Sequence, residues 1–235
     1  MKVSIIIPVF NEDKTVHKLL GQVLTVSLPK GYSKEVIVVD DGSTDNSQTE
    51  ILKSKTKIVF VSHSHNRGKG AAVRTGLARA SGEVGIIQDA DLEHNPRDYS
   101  RLLQPFKLSS TIAVYGSRLA SYPLVLSGDN PTPPPLHYLA NKMLTFLTNV
   151  LYGNSLTDME TCYKLVKTEM LHTLKLKSNS FDIEAEITAK LLKRGVIIVE
   201  IPIKVNPRGY HEGKKIGWQD GLTAVWTLVK YRFVD

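Results

Sequence analysis

Four short apolar runs, at residues 3–7, 36–39, 58–62 and 84–88, recur along the first half of the chain with helical patterns between them. Runs of this length, rich in Val and Ile and free of polar alternation, read as strands covered on both faces. Asn11-Glu12-Asp13 supplies helix-start chemistry before an amphipathic stretch over 16–26. A second helix is expected after Asp45 and through Ile51, and a third over 71–80, closed by Ser81-Gly82. The βαβαβαβ order predicts an α/β fold with a mostly parallel sheet and right-handed crossovers. In such sheets the ligand lies outside the carboxyl ends of the strands. The polar clusters at 11–12, 40–45 and 89–93 each follow a strand, so they share one edge whatever the strand order.

The second half breaks this rhythm. A strand is expected at 113–115, followed by Gly116-Ser117-Arg118. Residues 121–135 carry Pro123, Pro131, Pro133, Pro134 and Pro135, too long and too proline-rich a connection to be a simple one. Helices are expected over 136–151, 183–193 and 218–231, with an extended segment at 196–205 and a basic loop at 206–216. A length of 235 residues fits a single domain, 1–235, with residues 1–118 as one half and 119–235 as the other.

Composition excludes several classes. With 42% hydrophobic residues the chain is not disordered, and with Cys162 as its one cysteine it has no disulfide framework. No stretch approaches the roughly 20 apolar residues of a membrane span, and the N-terminal run stops at Pro8, too soon for a signal peptide. The formal charge of +7 favours an anionic partner: nucleic acid, a membrane surface or a phosphorylated substrate.

Asp89-Ala90-Asp91 at a strand end sets two carboxylates on one turn, an arrangement that suits Mg²⁺ or Mn²⁺ shared with substrate phosphates, or else two acidic loop residues without a role. An EF-hand is excluded, because its sixth position would be His94 and its twelfth Ser100. His65-Asn66-Arg67-Gly68-Lys69-Gly70 matches neither a Walker A loop nor a dinucleotide fingerprint. It is either a backbone cradle with Lys69 facing a diphosphate or a flexible turn into a helix. Asp40-Asp41-Gly42-Ser43 either accepts hydrogen bonds from a base or ribose or forms an Asx-type turn. Arg208, Lys214 and Lys215 make a cationic loop or a solvated charge run.

Taken in order, Pro8-Val9-Phe10-Asn11-Glu12, Asp40-Asp41-Gly42-Ser43-Thr44-Asp45, Asn66-Arg67-Gly68-Lys69-Gly70 and Gln88-Asp89-Ala90-Asp91-Leu92-Glu93 resemble glycosyltransferase family 2. The resemblance runs on through Gly116-Ser117-Arg118, Thr157-Asp158-Met159-Glu160-Thr161-Cys162-Tyr163-Lys164 and residues 206–220. These later segments look like the dolichyl- or polyprenyl-phosphate mannose and glucose synthases of that family. The resemblance implies a GT-A fold, a nucleotide-sugar donor, a divalent metal and inversion at the sugar C1. By position, Pro8, Phe10, Glu12, Val38 and Asp40 would hold the nucleoside, and Asp89, Ala90, Asp91 and Glu93 would line the metal and diphosphate. Arg118, Arg208 and Lys214 would bind phosphates of donor and acceptor. One departure stands out: such synthases usually read D-A-D-L-Q-H-P, whereas here Glu93 and Asn95 replace Gln and the first Pro, adding negative charge beside the metal.

A lipid phosphate is largely dianionic at pH 7, so as a nucleophile it needs little help from a base. Its difficulty is repulsion from the donor diphosphate, which gives Arg118, Arg208, Lys214 and a metal a reason to converge. A hydroxyl acceptor would instead need a base, for which Asp91 or Glu93 would serve. The rivals are a soluble transferase acting on a glycan hydroxyl and a non-catalytic nucleotide-sugar-binding module; nucleic acid has only the charge in its favour. Leu136, Leu139, Met143, Leu147 and Val150 form one apolar stripe, and Trp218, Leu222, Trp226, Val229 and Phe233 another. Each stripe alone is expected to pack on the sheet. Together, with a basic surface and a lipid-phosphate acceptor, they point to shallow docking of at least one helix. The expected protein is thus cytoplasmic and peripheral at the cytoplasmic face of a membrane, or dependent on a membrane partner, since related synthases carry transmembrane helices beyond the point where this chain ends.

Overall fold

The computed structural model describes residues 1–119, 135–206 and 217–234. The first half alternates as the apolar runs predict: β1 (Lys2–Val9), α1 (Val16–Thr25), β2 (Ser33–Asp40), α2 (Ser47–Leu52), β3 (Val59–Ser62), α3 (Lys69–Leu77) and β4 (Val84–Ile87). The runs are continuous because both faces of the sheet are roofed. Ile5, Ile7 and Val38 pack with Leu19, Leu20 and Val23 of α1, while Ile6, Ile37 and Val39 point to the other face, among Ala72, Val73 and Leu77 of α3. Each such side chain contributes about 1.5–3 kcal/mol on burial. The third helix starts at Lys69 and stops at Leu77, displaced towards the N-terminus from the expected span.

Next come α4 (Tyr99–Leu102), β5 (Ala113–Ser117), α5 (Pro135–Tyr152), β6 (Lys164–Lys167), α6 (Thr168–Thr173), α7 (Ile183–Lys193), β7 (Ile198–Pro202) and α8 (Trp218–Phe233). The seven strands form one sheet in the order β3-β2-β1-β4-β6-β5-β7. All neighbours are parallel except at β6, which runs antiparallel to both β4 and β5. Patterning did not reveal β6 or α6. Lys164 and Lys167 bracket only two apolar residues, and Lys164 is buried against every expectation for a lysine.

The chain reverses its direction of travel across the sheet between β1 and β4, and ligands bind at such a switch point. Register aligns the carboxyl ends there: Val9 lies beside Asp40, and Ile6 beside Ile87. The proline-rich segment falls largely outside the described residues, as does most of the basic loop.

Neither apolar stripe is buried on the sheet as each alone would be expected to be; both face largely outward. In α5, Thr145 and Thr148 face inward and are buried, whereas Leu139, Met143 (63% exposed), Phe146 (71%) and Val150 face outward. A polar contact holds this orientation: the Thr145 hydroxyl accepts from the Met159 amide at 3.1 Å, while Thr148 satisfies its hydroxyl within the helix, on the Leu144 carbonyl at 2.8 Å. In α8, Ala224, Thr227, Leu228 and Tyr231 are buried, while Trp218, Leu222, Trp226 (65%) and Phe233 (77%) are exposed. The Tyr152 hydroxyl donates to the Leu228 carbonyl at 2.7 Å and ties the two helices together.

Candidate active site

The loops after β1 and β2 are stitched to each other. The Asn11 amide donates to the Ser43 hydroxyl at 3.0 Å, and the Thr44 amide donates to the Asn11 side chain at 2.8 Å. The Glu12 amide donates to the Ser47 hydroxyl at 2.7 Å. Asn11 takes a left-handed backbone, at φ 50°, which an asparagine tolerates better than most residues. Pro8 and Phe10 are half-buried at this edge. Val38 lies two residues inside β2 and packs in the core.

The two neighbouring aspartates have different surroundings. Asp40 accepts from the Ser43 amide at 3.1 Å and the Ser62 hydroxyl at 3.3 Å, the turn geometry that its sequence allowed. Asp41 is spent on the chain itself: it accepts from the Arg67 amide at 3.0 Å and the Gly68 amide at 2.7 Å, with His63 Nδ1 at 2.6 Å. Asp41 therefore brackets the loop before α3. That loop uses its glycines for packing. Gly68 has φ +94°, and a Cβ there would strike the Asn179 carbonyl; one on Gly70 would strike the Ser178 carbonyl. The close approach is that of the chain's own residues 178–180.

The same packing aims Lys69 at the end of β4. Its ammonium lies 2.8 Å from Asp89 Oδ1, 2.9 Å from Asp89 Oδ2 and 3.0 Å from Glu184 Oε1. Glu184, on α7, has Lys164 Nζ 2.8 Å from its other oxygen. Both Glu184 oxygens sit at ion-pair distance but off the hydrogen-bonding direction. Lys164 also donates to the carbonyls of Met159 and Thr161 and lies over the Tyr115 ring. Burial alone would raise the Asp89 pKa, but the Lys69 charge outweighs it and holds the carboxyl below its ordinary range. Gln88 steadies the strand end: its carbonyl oxygen accepts from the Tyr99 and Tyr163 hydroxyls, each at 2.7 Å, and its amide donates to the Asp89 carbonyl at 2.9 Å. Beyond it, Ala90 is buried, the Asp91 carboxylate accepts from the Glu93 amide at 3.0 Å, and Leu92 takes φ 64°.

Arg118 follows β5 and is held by Asp158. Its Nε and Nη2 donate to the two Asp158 oxygens, each at 2.8 Å, and its amide donates to Oδ2. Asp158 is fully buried; burial pushes its carboxyl up, and the guanidinium more than reverses this. Glu160, two residues on, has a buried Oε1 with no hydrogen-bond partner, and burial pushes its pKa up to about 7. His94 is driven down to about 3 by burial and then by the Arg118 charge, so it is a neutral ring at pH 7. Its Nδ1 lies 3.3 Å from the Cys162 sulfur.

The structure thus gathers Asp89, Lys69, Glu184 and Lys164 into one charged chain, and joins Arg118 to Asp158. Arg208 and Lys214 lie outside the described residues. Motif reading quoted Gln88 and Lys164 without giving them a role, and missed Glu184 and the pairing role of Asp158. Asp158 sat inside a quoted motif, whereas Glu184 gave no signal, because α7 is buried almost all round. Among the described residues, no three His, Cys, Asp or Glu side chains form a ready cation cage. A hard cation bound with a nucleotide needs no such cage, since one or two carboxylates and the phosphates suffice. The Lys69 ammonium on Asp89 already acts as a stand-in cation, so Asp89 and Asp91 fit that role in charge and donor type.

The sheet order, with its switch point between β1 and β4 and a carboxylate pair after β4, is that of a GT-A fold. The model of the family Glycosyl transferase family 2 matches residues 4–174, and the chain belongs to that family. It is related to polyprenyl-phosphate sugar transferases. It is 28% identical to a dolichol-phosphate mannosyltransferase of Pyrococcus furiosus over 98% of this chain, which spans 64% of that protein's length. It is 26% identical to a UDP-N-acetylglucosamine–dolichyl-phosphate N-acetylglucosaminyltransferase of Methanococcus voltae over 86% of this chain and 84% of the other. In fold it matches glucosyl-3-phosphoglycerate synthase from Mycobacterium tuberculosis, solved with Mn²⁺, UDP and glucosyl-3-phosphoglycerate, with a TM-score of 0.73 at 18% identity. That match covers 100% of this chain and 81% of the other.

Proposed function

We propose that this glycosyltransferase moves a hexose, with inversion, from a nucleotide sugar to a dolichyl or polyprenyl phosphate. GDP-mannose stands ahead of UDP-glucose as donor, and residues 1–235 act as one domain whose later half binds the acceptor. The observation that carries the lipid acceptor is the outward apolar face of α5 and α8, which suits shallow contact with a bilayer. Lys142, Lys230 and Arg232 on the same helices favour an anionic surface. Among the described residues no helix is long and apolar enough to cross a membrane.

Pro8, Phe10, Glu12 and Asp40 would frame the nucleoside, with Val38 and Ala90 as the packing behind it. Asp89 and Asp91, with Glu93 beside them, would hold Mg²⁺ or Mn²⁺ against the donor diphosphate. When bound, that cation offsets the charge that the leaving diphosphate gains. Arg118, kept in one orientation by its fork to Asp158, presents its remaining donors to phosphate. The acceptor phosphate attacks C1 as an already ionised nucleophile, so repulsion is the barrier that these cations lower. Arg208 and Lys214 would add charge from the basic loop.

A second reading, transfer to a glycan hydroxyl, is favoured by Glu160. A buried carboxyl with a free oxygen and a pKa pushed up to about 7 is suited to taking a proton. The deciding assay presents GDP-mannose and UDP-glucose to the purified protein, with and without a short polyprenyl phosphate, and then with soluble glycan acceptors. Transfer to the lipid phosphate supports the first reading. Transfer only to a hydroxyl sinks it.

A further inference from the structure

We propose that Lys69 and Glu184 form a cation-exchange device: Lys69 guards the Asp89 carboxylate until a divalent cation and diphosphate arrive, and Glu184 then keeps the displaced ammonium. The inference rests on the reading of Asp89 as a metal ligand.

The geometry sets an ammonium and a divalent cation in competition for one carboxylate. One ammonium lies 2.8 and 2.9 Å from the two Asp89 oxygens, so it covers the front of the carboxylate. A divalent ion taking oxygen at about 2.1 Å cannot share that front with an ammonium without strong repulsion. A cation entering on that front therefore displaces Lys69 from Asp89. A largely covered ammonium set loose with no partner would be destabilised, and that cost would be subtracted from metal affinity. Glu184 removes that penalty, because its Oε1 is already 3.0 Å from the same nitrogen. The Phe181 ring, 5.9 Å from it, offers a further cation-accepting face.

Glu184 is kept in place for this role from its other side. Lys164 Nζ holds the second oxygen at 2.8 Å, and Lys164 is itself anchored on two carbonyls. Fixed charges therefore alternate from Lys164 to Glu184 to Lys69 to Asp89, and only Lys69 has two carboxylates to choose between. Once moved, its charge remains beside the diphosphate. Lys69 and Glu184 are positioning residues in this account.

The test is Mn²⁺ uptake by the full chain, read from loss of the free-ion electron paramagnetic resonance signal, with and without GDP or UDP. Glu184→Gln lets Lys69 settle on Asp89, so the Mn²⁺ Kd is expected to rise about tenfold. Lys69→Met uncovers Asp89, and without nucleotide its Kd is expected to fall below that of the wild type. In the Lys69→Met background, Glu184→Gln should then change little. If Glu184 merely attracted cations from a distance, its loss would cost the same in both backgrounds, and the exchange would be overturned. Weaker uptake in Lys69→Met would overturn it as well. Should Glu184→Gln fail to fold, Glu184→Asp, which draws the carboxylate back from Lys69, takes its place in both backgrounds. No Mn²⁺ uptake by the wild type, even with nucleotide, would sink the metal-ligand reading itself.

Discussion

The β4 edge and the α5–α8 face invert the usual rule in opposite directions. At the edge, Lys164, Glu184 and Asp158 are charged yet buried, Lys69 is largely covered, and all four are paired. On the face, Met143, Phe146, Trp226 and Phe233 are apolar yet exposed, while threonines take the inward positions. Each arrangement costs stability: buried ion pairs barely repay their desolvation, and exposed aromatic surface forgoes burial. A fold that keeps both has reasons other than its own stability. Under the proposed function, the edge would serve a charged ligand and the face an apolar surface.

The largest effect expected from breaking this pairing is at the edge. Asp89→Ala and Asp91→Ala should each lower sugar transfer about 10³-fold, measured as donor turnover with and without chelator. Near wild-type activity in either would remove the carboxylates from the chemistry. Next, Arg118→Met strands the buried Asp158 carboxylate and should cost about 3 kcal/mol in urea unfolding. Arg118→Met with Asp158→Asn should recover part of that loss, and no recovery would mean that the pair is not the source.

On the apolar face the separation runs the other way. Trp226→Glu with Met143→Glu should weaken flotation with anionic vesicles about tenfold, while changing unfolding stability by no more than about 0.5 kcal/mol per site. Leu228→Ala, on the buried side of the same helix, should cost about 2–5 kcal/mol. Equal vesicle binding by the glutamate variant would leave the exposed face without its proposed partner.

The smallest effect sharpens the edge further. Burial lifts Glu160 from 4.5 to about 7 in the folded state. Between those values the folded protein holds a proton that the unfolded chain has lost, so its stability falls as pH rises through that window. Glu160→Gln should remove this slope, and denaturant midpoints at pH 5 and pH 8 will reveal it. A wild-type slope equal to that of the variant would mean that Glu160 ionises normally.

What could be read from the sequence depended on whether a residue's role was local. The four β-branched runs carry their own evidence, because a strand covered on both faces needs an unbroken apolar stretch. Asp89 and Asp91 were legible for the same reason: they follow a strand end directly. Glu184 was not, since its partners Lys69 and Lys164 come from α3 and β6. The stripes of α5 and α8 were visible as stripes, but amphipathicity does not say which side faces the protein. Thr145, hydrogen-bonded to Met159, decides that for α5. Gly68 and Gly70, readable as either a phosphate cradle or a flexible turn, instead make room for residues 178–180.

The antiparallel strand β6 has a consequence for how the molecule is made. Strands β1 to β4 are complete once Ile87 has been synthesised, but the edge of β4 pairs with Leu165 and Val166. At about 5–20 residues per second, a ribosome needs roughly 4–15 s to reach them. Throughout that time the nascent sheet carries an open, apolar border, the kind that recruits another chain. Strand β5 cannot close it, because it joins the sheet only through β6. Among the strands of the first half, Val84–Ile87 thus waits on a partner that comes about eighty residues later in the chain.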